Sequence, residues 1–201
     1  MLKTMFFDLG NVLVFFNPEQ MRQQIADCCG LTTEQVRKLL VCSDISKEYE
    51  TGKIDSKAVY HAFRKEATRP FSEQDLMQAI SQIFTPNYEL WSVVQAMKQQ
   101  GVRLILISNT CDWHFRYIQK HYSILQLFDH TVLSYEVGAM KPSPHIYQQA
   151  LLHAQHPLSA CFYTDDIPEY VLGARGVGLD SEIFTNVEAF LRDVKLRGWS
   201  A

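Results

Sequence analysis

The chain has 201 residues, 47% of them apolar and 20% charged, with a formal net charge of -3 at neutral pH. That length holds one well-cored domain, or a core with a modest insertion, and the composition excludes a disordered or fibrous chain. The slightly acidic balance excludes the basic field of a nucleic-acid binder, and no apolar run is long enough for a membrane span, so neither nucleic acid nor membrane is an expected partner.

The five cysteines, Cys28, Cys29, Cys42, Cys111 and Cys161, are odd in number and lack both the spacing of a zinc site and the density of a disulfide scaffold. They read as reduced thiols. The first residues, Met1 to Phe7, are interrupted too soon by Asp8 for a secretion signal, which makes the cytoplasm the expected location.

In chain order, residues 4–9 have the continuous apolar pattern of a strand buried on both faces, as in a parallel sheet. Asp8 stands at its end, directly before a Gly10-Asn11 turn. From Pro18 to Thr85, polar residues are interleaved with apolar ones at three- and four-residue spacings, which predicts helices and no strand. Start signals place them at Pro18, at 34–41 after Thr32 or Thr33, at 56–66 after Asp55, and at 73–84 after Ser72. A helix over 88–100 closes at Gly101 and leads into a strand at 102–107. Ser108-Asn109-Thr110 then caps a helix running to Tyr122. A strand at 131–134, a helix at 143–152 and a strand at 160–164 follow, the last running into Asp165-Asp166. A helix from Pro168 to Val177, an edge strand at 179–184 and a helix bearing Val187, Phe190, Leu191 and Val194 on one face complete the chain. The alternation predicts an α/β fold: a doubly wound, parallel, Rossmann-like sheet from residues 1–16 and 87–201, with a small helical cap at 17–86 inserted after the first strand.

In such a sheet the loops after the strands gather at one edge. That brings together Asp8, Ser108 with Asn109, Lys141, and Asp165 with Asp166, a set suited to phosphoryl transfer. Asp8 can attack phosphorus and hold an aspartyl-phosphate. Ser108 and the backbone around Asn109 can donate to phosphate oxygens, and Lys141 can neutralise the repulsion between nucleophile and anionic substrate. The adjacent carboxylates suit Mg²⁺, a hard cation that prefers oxygen ligands; either Asp165 orients the loop while Asp166 binds metal, or the reverse. Several residues also have plainer readings. Ser108 can cap its helix and still bind phosphate there. Cys111 lacks a partner at nucleophile spacing, Glu136 and His145 read as solvated, and Trp113, His114 and Arg116 as packing or surface, with substrate contact the minor option. Phe15, Phe16 and Trp91 read as core or cap-interface aromatics, the first two placed to wall a substrate pocket.

The order Phe7-Asp8-Leu9-Gly10-Asn11-Val12, Ser108-Asn109-Thr110, Gly138-Ala139-Met140-Lys141-Pro142, Tyr163-Thr164-Asp165-Asp166 resembles the four motifs of the haloacid dehalogenase superfamily. The likeness covers nearly the whole chain, and within the superfamily it is similar to the branch holding bacterial α-D-glucose-1-phosphate phosphatases and the N-terminal phosphatase domain of soluble epoxide hydrolases. The resemblance implies a Mg²⁺-dependent phosphatase of small phosphate esters, sugar phosphates included. It implies Asp8 as nucleophile, Ser108 and Lys141 on the phosphate with Asn109, Gly10 and Asn11 around it, and Asp8, the Gly10 carbonyl, Asp166 and Asp165 about the metal. Two positions depart from the pattern. Gly10 stands where most phosphatases of the superfamily carry the Asp that protonates the leaving group, and Tyr170 where an acid or amide often supports the metal. These departures keep open a catalytically weak, ligand- or protein-binding relative. A carbon-halogen hydrolase fits less well, because Asp165-Asp166 suits a metal that such chemistry does not require. Specificity is expected from the cap, and the oligomeric state is left open.

Overall fold

The structure, a computed structural model, describes residues 1–200; the side chain of Cys42 lies outside the described residues. Five parallel strands form the central sheet: β1 (Thr4–Phe7), β4 (Arg103–Ser108), β5 (His130–Leu133), β6 (Cys161–Asp165) and β7 (Ser181–Ile183), in the spatial order β5-β4-β1-β6-β7. The two remaining strands, β2 (Val14–Phe16) and β3 (Phe84–Pro86), pair antiparallel outside that sheet. β1 is central, with β4 on one side and β6 on the other, so the chain reverses direction across the sheet beside it. Ligands in open α/β sheets bind beyond the carboxyl ends of the strands at such a reversal.

Side-chain alternation along the strands fills two cores. Met5 and Phe7 of β1, with Leu104 and Leu106 of β4, pack against α6 (Tyr88–Gln99), α7 (Asp112–His121) and α11 (Val187–Leu196). Phe6, Ile105, Ile107 and Tyr163 face the other way, onto Ile146, Tyr147 and Ala150 of α9 (Pro144–Leu151) and Ala174 of α10 (Pro168–Gly176). Both faces of the sheet are covered, which is why its strands read as unbroken apolar runs.

Five helices lie between β2 and β3: α1 (Pro18–Cys29), α2 (Thr33–Arg37), α3 (Ile45–Glu50), α4 (Ser56–Glu66) and α5 (Glu73–Ser81). They bury their own apolar cluster, with Ile25, Val36, Phe63, Leu76 and Ile80 at its centre and Trp113 of α7 packed into it. Their start signals act as predicted. Asn17 caps α1 ahead of Pro18, Thr32 and Ser72 form capping boxes, and Asp55 accepts from Ala58 N. Cys28, Cys29, Cys111 and Cys161 are free thiols, and no helix among the described residues is long and apolar enough to cross a membrane.

Several expectations are corrected. The helix predicted over 34–41 is α2 followed by a π-helical turn, Lys38–Cys42. The one predicted over 73–84 ends at Ser81, and Phe84–Pro86 turns into β3, so the 18–85 segment is not free of strands. The helix after β4 begins at Asp112 with Cys111 at its cap position, so Ser108 ends the strand and Asn109-Thr110 lies in the loop, and none of the three caps the helix. Helices α3 and α8 (Ser134–Val137) are additional elements.

Candidate active site

β1 ends one residue before Asp8, and the backbone of Asp8 donates to Thr164 O of β6 at 3.1 Å. The nucleophile candidate is thereby fixed beside the end of β6, where Asp165 and Asp166 emerge. Asp8 is 6% exposed and Asp165 fully buried. Between them stands Lys141, 3% exposed, its Nζ 2.6 Å from Asp8 Oδ1 and 2.6 Å from Asp165 Oδ2. A buried ammonium between two buried carboxylates offsets a repulsion that neither acid escapes through solvent.

The electrostatics follow from that arrangement. Burial pushes the Asp8 carboxyl up, Lys141 pulls it down and Asp165 pushes it up again, leaving it at about 7. Burial opposes the charge on Lys141, but Asp8 and Asp165 outweigh it and hold the ammonium above its usual range. Burial also raises Asp166, against the pull of Asn11, whose Nδ2 donates to Asp166 Oδ2 at 3.1 Å.

Asp8, Asp165 and Asp166 bring carboxylate oxygens within 4.8 Å of one another. Three carboxylates and one ammonium leave two negative charges in excess, and the donors are all hard oxygens, so the residues fit a divalent cation such as Mg²⁺. The two adjacent acids are not equivalent. Asp165 accepts from Lys141 Nζ and Tyr163 OH on Oδ2 and from Ile167 N on Oδ1, whereas among the described residues the one side chain bonded to Asp166 is Asn11. Asp165 is thus occupied in ordering the loop, and Asp166 has lone pairs to offer.

Ser108 is buried at the end of β4, its Oγ 3.5 Å from the Asn109 carbonyl. Asn109 is spent on the Lys141 loop, binding its peptide N and O, and donates from Nδ2 to Tyr170 OH at 3.3 Å. Ser134, at the end of β5, clamps the next residue: Thr110 N donates to Ser134 Oγ and Ser134 Oγ donates to Thr110 O, both at 3.0 Å. Gly173 of α10 lets that helix approach the same loop, because a Cβ there would meet Pro142 at 2.9 Å.

Two tyrosines to which the motif reading gave no role of their own belong to this site. Tyr163 OH lies 3.3 Å from Lys141 Nζ, and the Tyr170 ring faces the same ammonium at 5.0 Å. Tyr163 is internal to β6 and its inward side is set by strand alternation, a signal present in the sequence; Tyr170 stands out in the sequence as a departure from the motif, but not for its contact with Lys141. Gly10 lies against Phe16: a Cβ at position 10 would sit 3.0 Å from the Phe16 ring. Phe15 and Phe16 are both exposed rather than core, and Phe16 lines a cavity that Gly10, Ser108, Asn109, His114 and Glu50 also line. Trp113 is packing, Arg116 pairs with Asp112 on the surface, and Glu136 and His145 are exposed. Cys111 is fully enclosed, and burial drives its thiol far above the range of a nucleophile.

A doubly wound parallel sheet whose central strand ends in a buried carboxylate, paired through a lysine to the acids of the neighbouring strand, defines an α/β enzyme with its site at the strand reversal. The chain belongs to the haloacid dehalogenase-like hydrolase family, whose model matches residues 2–178. It is 26% identical over 178 residues to a sesquiterpene phosphatase of Aspergillus oryzae, covering 88% of this chain and 87% of that protein. Its fold is similar to that of a haloacid dehalogenase family enzyme of Bacteroides thetaiotaomicron, solved with magnesium and inorganic phosphate, at a TM-score of 0.83 and 20% identity, covering 96% and 100% of the two chains. An L-2-haloacid dehalogenase of Xanthobacter autotrophicus, with chloropropionic acid covalently bound, matches at a TM-score of 0.63 and 13% identity over 98% and 83%.

Proposed function

We propose that this hydrolase is a Mg²⁺-dependent phosphatase of small phosphorylated metabolites, with Asp8 as the nucleophile. The observation that carries the reading is Lys141, whose ammonium lies 2.6 Å from both Asp8 and Asp165 while Asp166 completes a triad of oxygen donors. The phosphatase among its relatives, and the magnesium and phosphate held by the Bacteroides enzyme, support the same reading. Asp8, the Gly10 carbonyl and Asp166 would hold the cation, with Asp165 beside them. Bound there, Mg²⁺ would supply charge neutralisation for the phosphoryl oxygens.

The chain's own groups divide the remaining work. A carboxylate oxygen of Asp8 forms a bond to phosphorus as the ester P–O bond breaks, and water later hydrolyses the acyl phosphate. Ser108 and Lys141 donate to the phosphoryl oxygens, with backbone groups of Gly10, Asn11 and Asn109 around them. Lys141 also pulls the Asp8 carboxyl toward its ionised form, against the burial that raises it. With glycine at position 10, this loop offers no side chain to protonate the leaving oxygen. Gly10 therefore favours a second reading, a catalytically weak ligand- or protein-binding member of the family.

Turnover of a phosphate-ester panel in Mg²⁺ by the wild type and by Asp8→Asn separates the two. Hydrolysis that Asp8→Asn abolishes while its unfolding midpoint is retained supports the first; retained hydrolysis refutes Asp8 as nucleophile. No turnover, with no binding of Mg²⁺ and beryllium fluoride, favours the second.

A further inference from the structure

Beside the phosphate loops lies a cavity of about 160 Å³, bordered by Gly10, Ser108 and Asn109 on the strand ends and closed from the inserted helices. A cavity of about 150 Å³ holds a benzene-sized molecule, so this one matches roughly six non-hydrogen atoms. Its apolar walls include Phe16, Ile83 and Phe84; besides Ser108, Asn109 and Thr110 at the strand end, it is lined by two polar side chains on helices, Glu50, the last residue of α3, and His114 of α7. No lysine or arginine lines it.

The two polar groups have defined hydrogen-bonding characters. His114 Nε2 lies 3.2 Å from the Ile80 carbonyl, which can only accept, so Nε2 carries the proton. Burial depresses this imidazole to about 4, keeping it neutral, and its Nδ1 is therefore an acceptor. The Glu50 carboxyl has no hydrogen-bond or ion-pair partner among the described residues, although it is partly buried. Burial alone raises it to about 7, where it is present both as acceptor and as donor. A partly buried carboxyl without a protein partner is open to a hydrogen bond from a ligand in the cavity.

We infer that this cavity selects the alcohol part of the substrate: a short, uncharged, hydroxyl-bearing group of about glycerol size, read by Glu50 and His114. The inference rests on the phosphatase reading for the position of the phosphate. Hydroxyls satisfy the acceptor at His114 and the carboxyl at Glu50 together. A carboxylate on the substrate would face Glu50 with no cation to offset it.

Non-hydrolysable phosphonates test this without turnover. Calorimetry in Mg²⁺ on the whole chain compares 3,4-dihydroxybutylphosphonate, butylphosphonate and 3-phosphonopropionate. The dihydroxy compound is expected to bind about ten-fold more tightly than either of the others. Glu50→Leu should reverse the order of the first two, whereas Glu50→Gln should keep the hydroxyl preference and admit the carboxylate. Equal or tighter binding of butylphosphonate or 3-phosphonopropionate by the wild type overturns the inference, as does an unchanged order of the first two in Glu50→Leu or an undiminished discrimination against the carboxylate in Glu50→Gln. The phosphatase reading fails separately, if no phosphate ester is turned over.

Discussion

Asn109 grips the Lys141 peptide at both of its polar atoms, accepting from Lys141 N on Oδ1 at 2.8 Å and donating from Nδ2 to Lys141 O at 3.1 Å. The two residues sit on loops after different strands, and this clamp fixes where the lysine chain starts. From there its Nζ reaches Asp8 and Asp165 together. A residue assigned to the phosphate by motif thus acts through its side chain on the cation instead.

Asn109→Leu should therefore lower kcat/KM for phosphate esters by about 10- to 100-fold, the usual effect of losing a group that orients a ligand-binding residue. The stability cost should be about 1–3 kcal/mol, because a buried peptide N–H and C=O lose their partners. Asn109→Asp keeps an acceptor for Lys141 N and loses the donor to Lys141 O, so its rate should fall less. Steady-state kinetics beside urea unfolding separate the two effects, and an unchanged kcat/KM in Asn109→Leu would show that Lys141 is positioned by other contacts.

Lys141→Met should be more damaging to stability than to packing. It leaves Asp8 and Asp165 facing each other without a cation, and removing one member of a buried pair costs about 3–5 kcal/mol. A divalent ion can replace part of the lost charge. Millimolar Mg²⁺ should raise the unfolding midpoint of Lys141→Met more than that of the wild type, and Asp166→Asn should abolish the rise in both. Equal responses to Mg²⁺ with and without Lys141 would argue against the cation sitting beside these carboxylates.

The motif residues were legible because a doubly wound sheet gathers whatever follows its strands: Asp8, Ser108 and Asp165 are placed by β1, β4 and β6 regardless of their separation in sequence. Capping chemistry likewise marked α1, α4 and α5. α3 escaped notice for a local reason, since Asp44 at its start is left-handed and caps nothing, and six residues are too few for a periodic signal. The β2–β3 pair escaped because two three-residue strands separated by five helices have no turn between them to announce it. The sequence does not mark Glu50, and marks His114 only as a minor candidate for substrate contact, because the packing of the inserted helices over α7 is what brings the two residues to a common cavity. Tyr170 reaches Lys141 across a helix start, where spacing carries no information about aromatic faces.

Glu50 and His114 should leave opposite marks on the pH dependence of stability. His114 titrates at about 4 folded against 6.5 unfolded, so the unfolded chain binds more protons in that window, and stability falls as pH drops from about 6.5 to 4. Glu50 titrates at about 7 folded against 4.5 unfolded, so its contribution is present below 4.5 and is lost as pH rises through 7. Each shift corresponds to roughly 3 kcal/mol at most, and between pH 4.5 and 6.5 the two nearly cancel. Relative to the wild type, Glu50→Gln should therefore gain stability as pH rises from 4.5 to 7, and His114→Asn should gain it as pH falls from 6.5 to 4. Urea unfolding across pH 4–7.5 provides the comparison; parallel curves for wild type and both variants would mean that neither group is shifted.

Tyr49 ties the inserted helices to the sheet at the start of α7. The first N–H groups of a helix lack partners within it, and Cys111 at the cap position offers no side-chain hydrogen bond. Tyr49 OH instead accepts from Trp113 N at 3.2 Å, so the cap for α7 comes from α3. Ser56 Oγ donates to Asp112 Oδ2 at 3.1 Å, which leaves its oxygen to accept from Tyr49 OH at 2.7 Å. The chain from Tyr49 through Ser56 to Asp112 therefore runs in one direction, and every hydroxyl proton in it is used. Tyr49→Phe removes the cap and the donor to Ser56 together, for about 1–2 kcal/mol of stability. Because Glu50 follows Tyr49 on α3, loosening this contact should also raise KM for phosphate esters several-fold with a smaller change in kcat, and an intact KM beside a lowered unfolding midpoint would assign Tyr49 to stability alone.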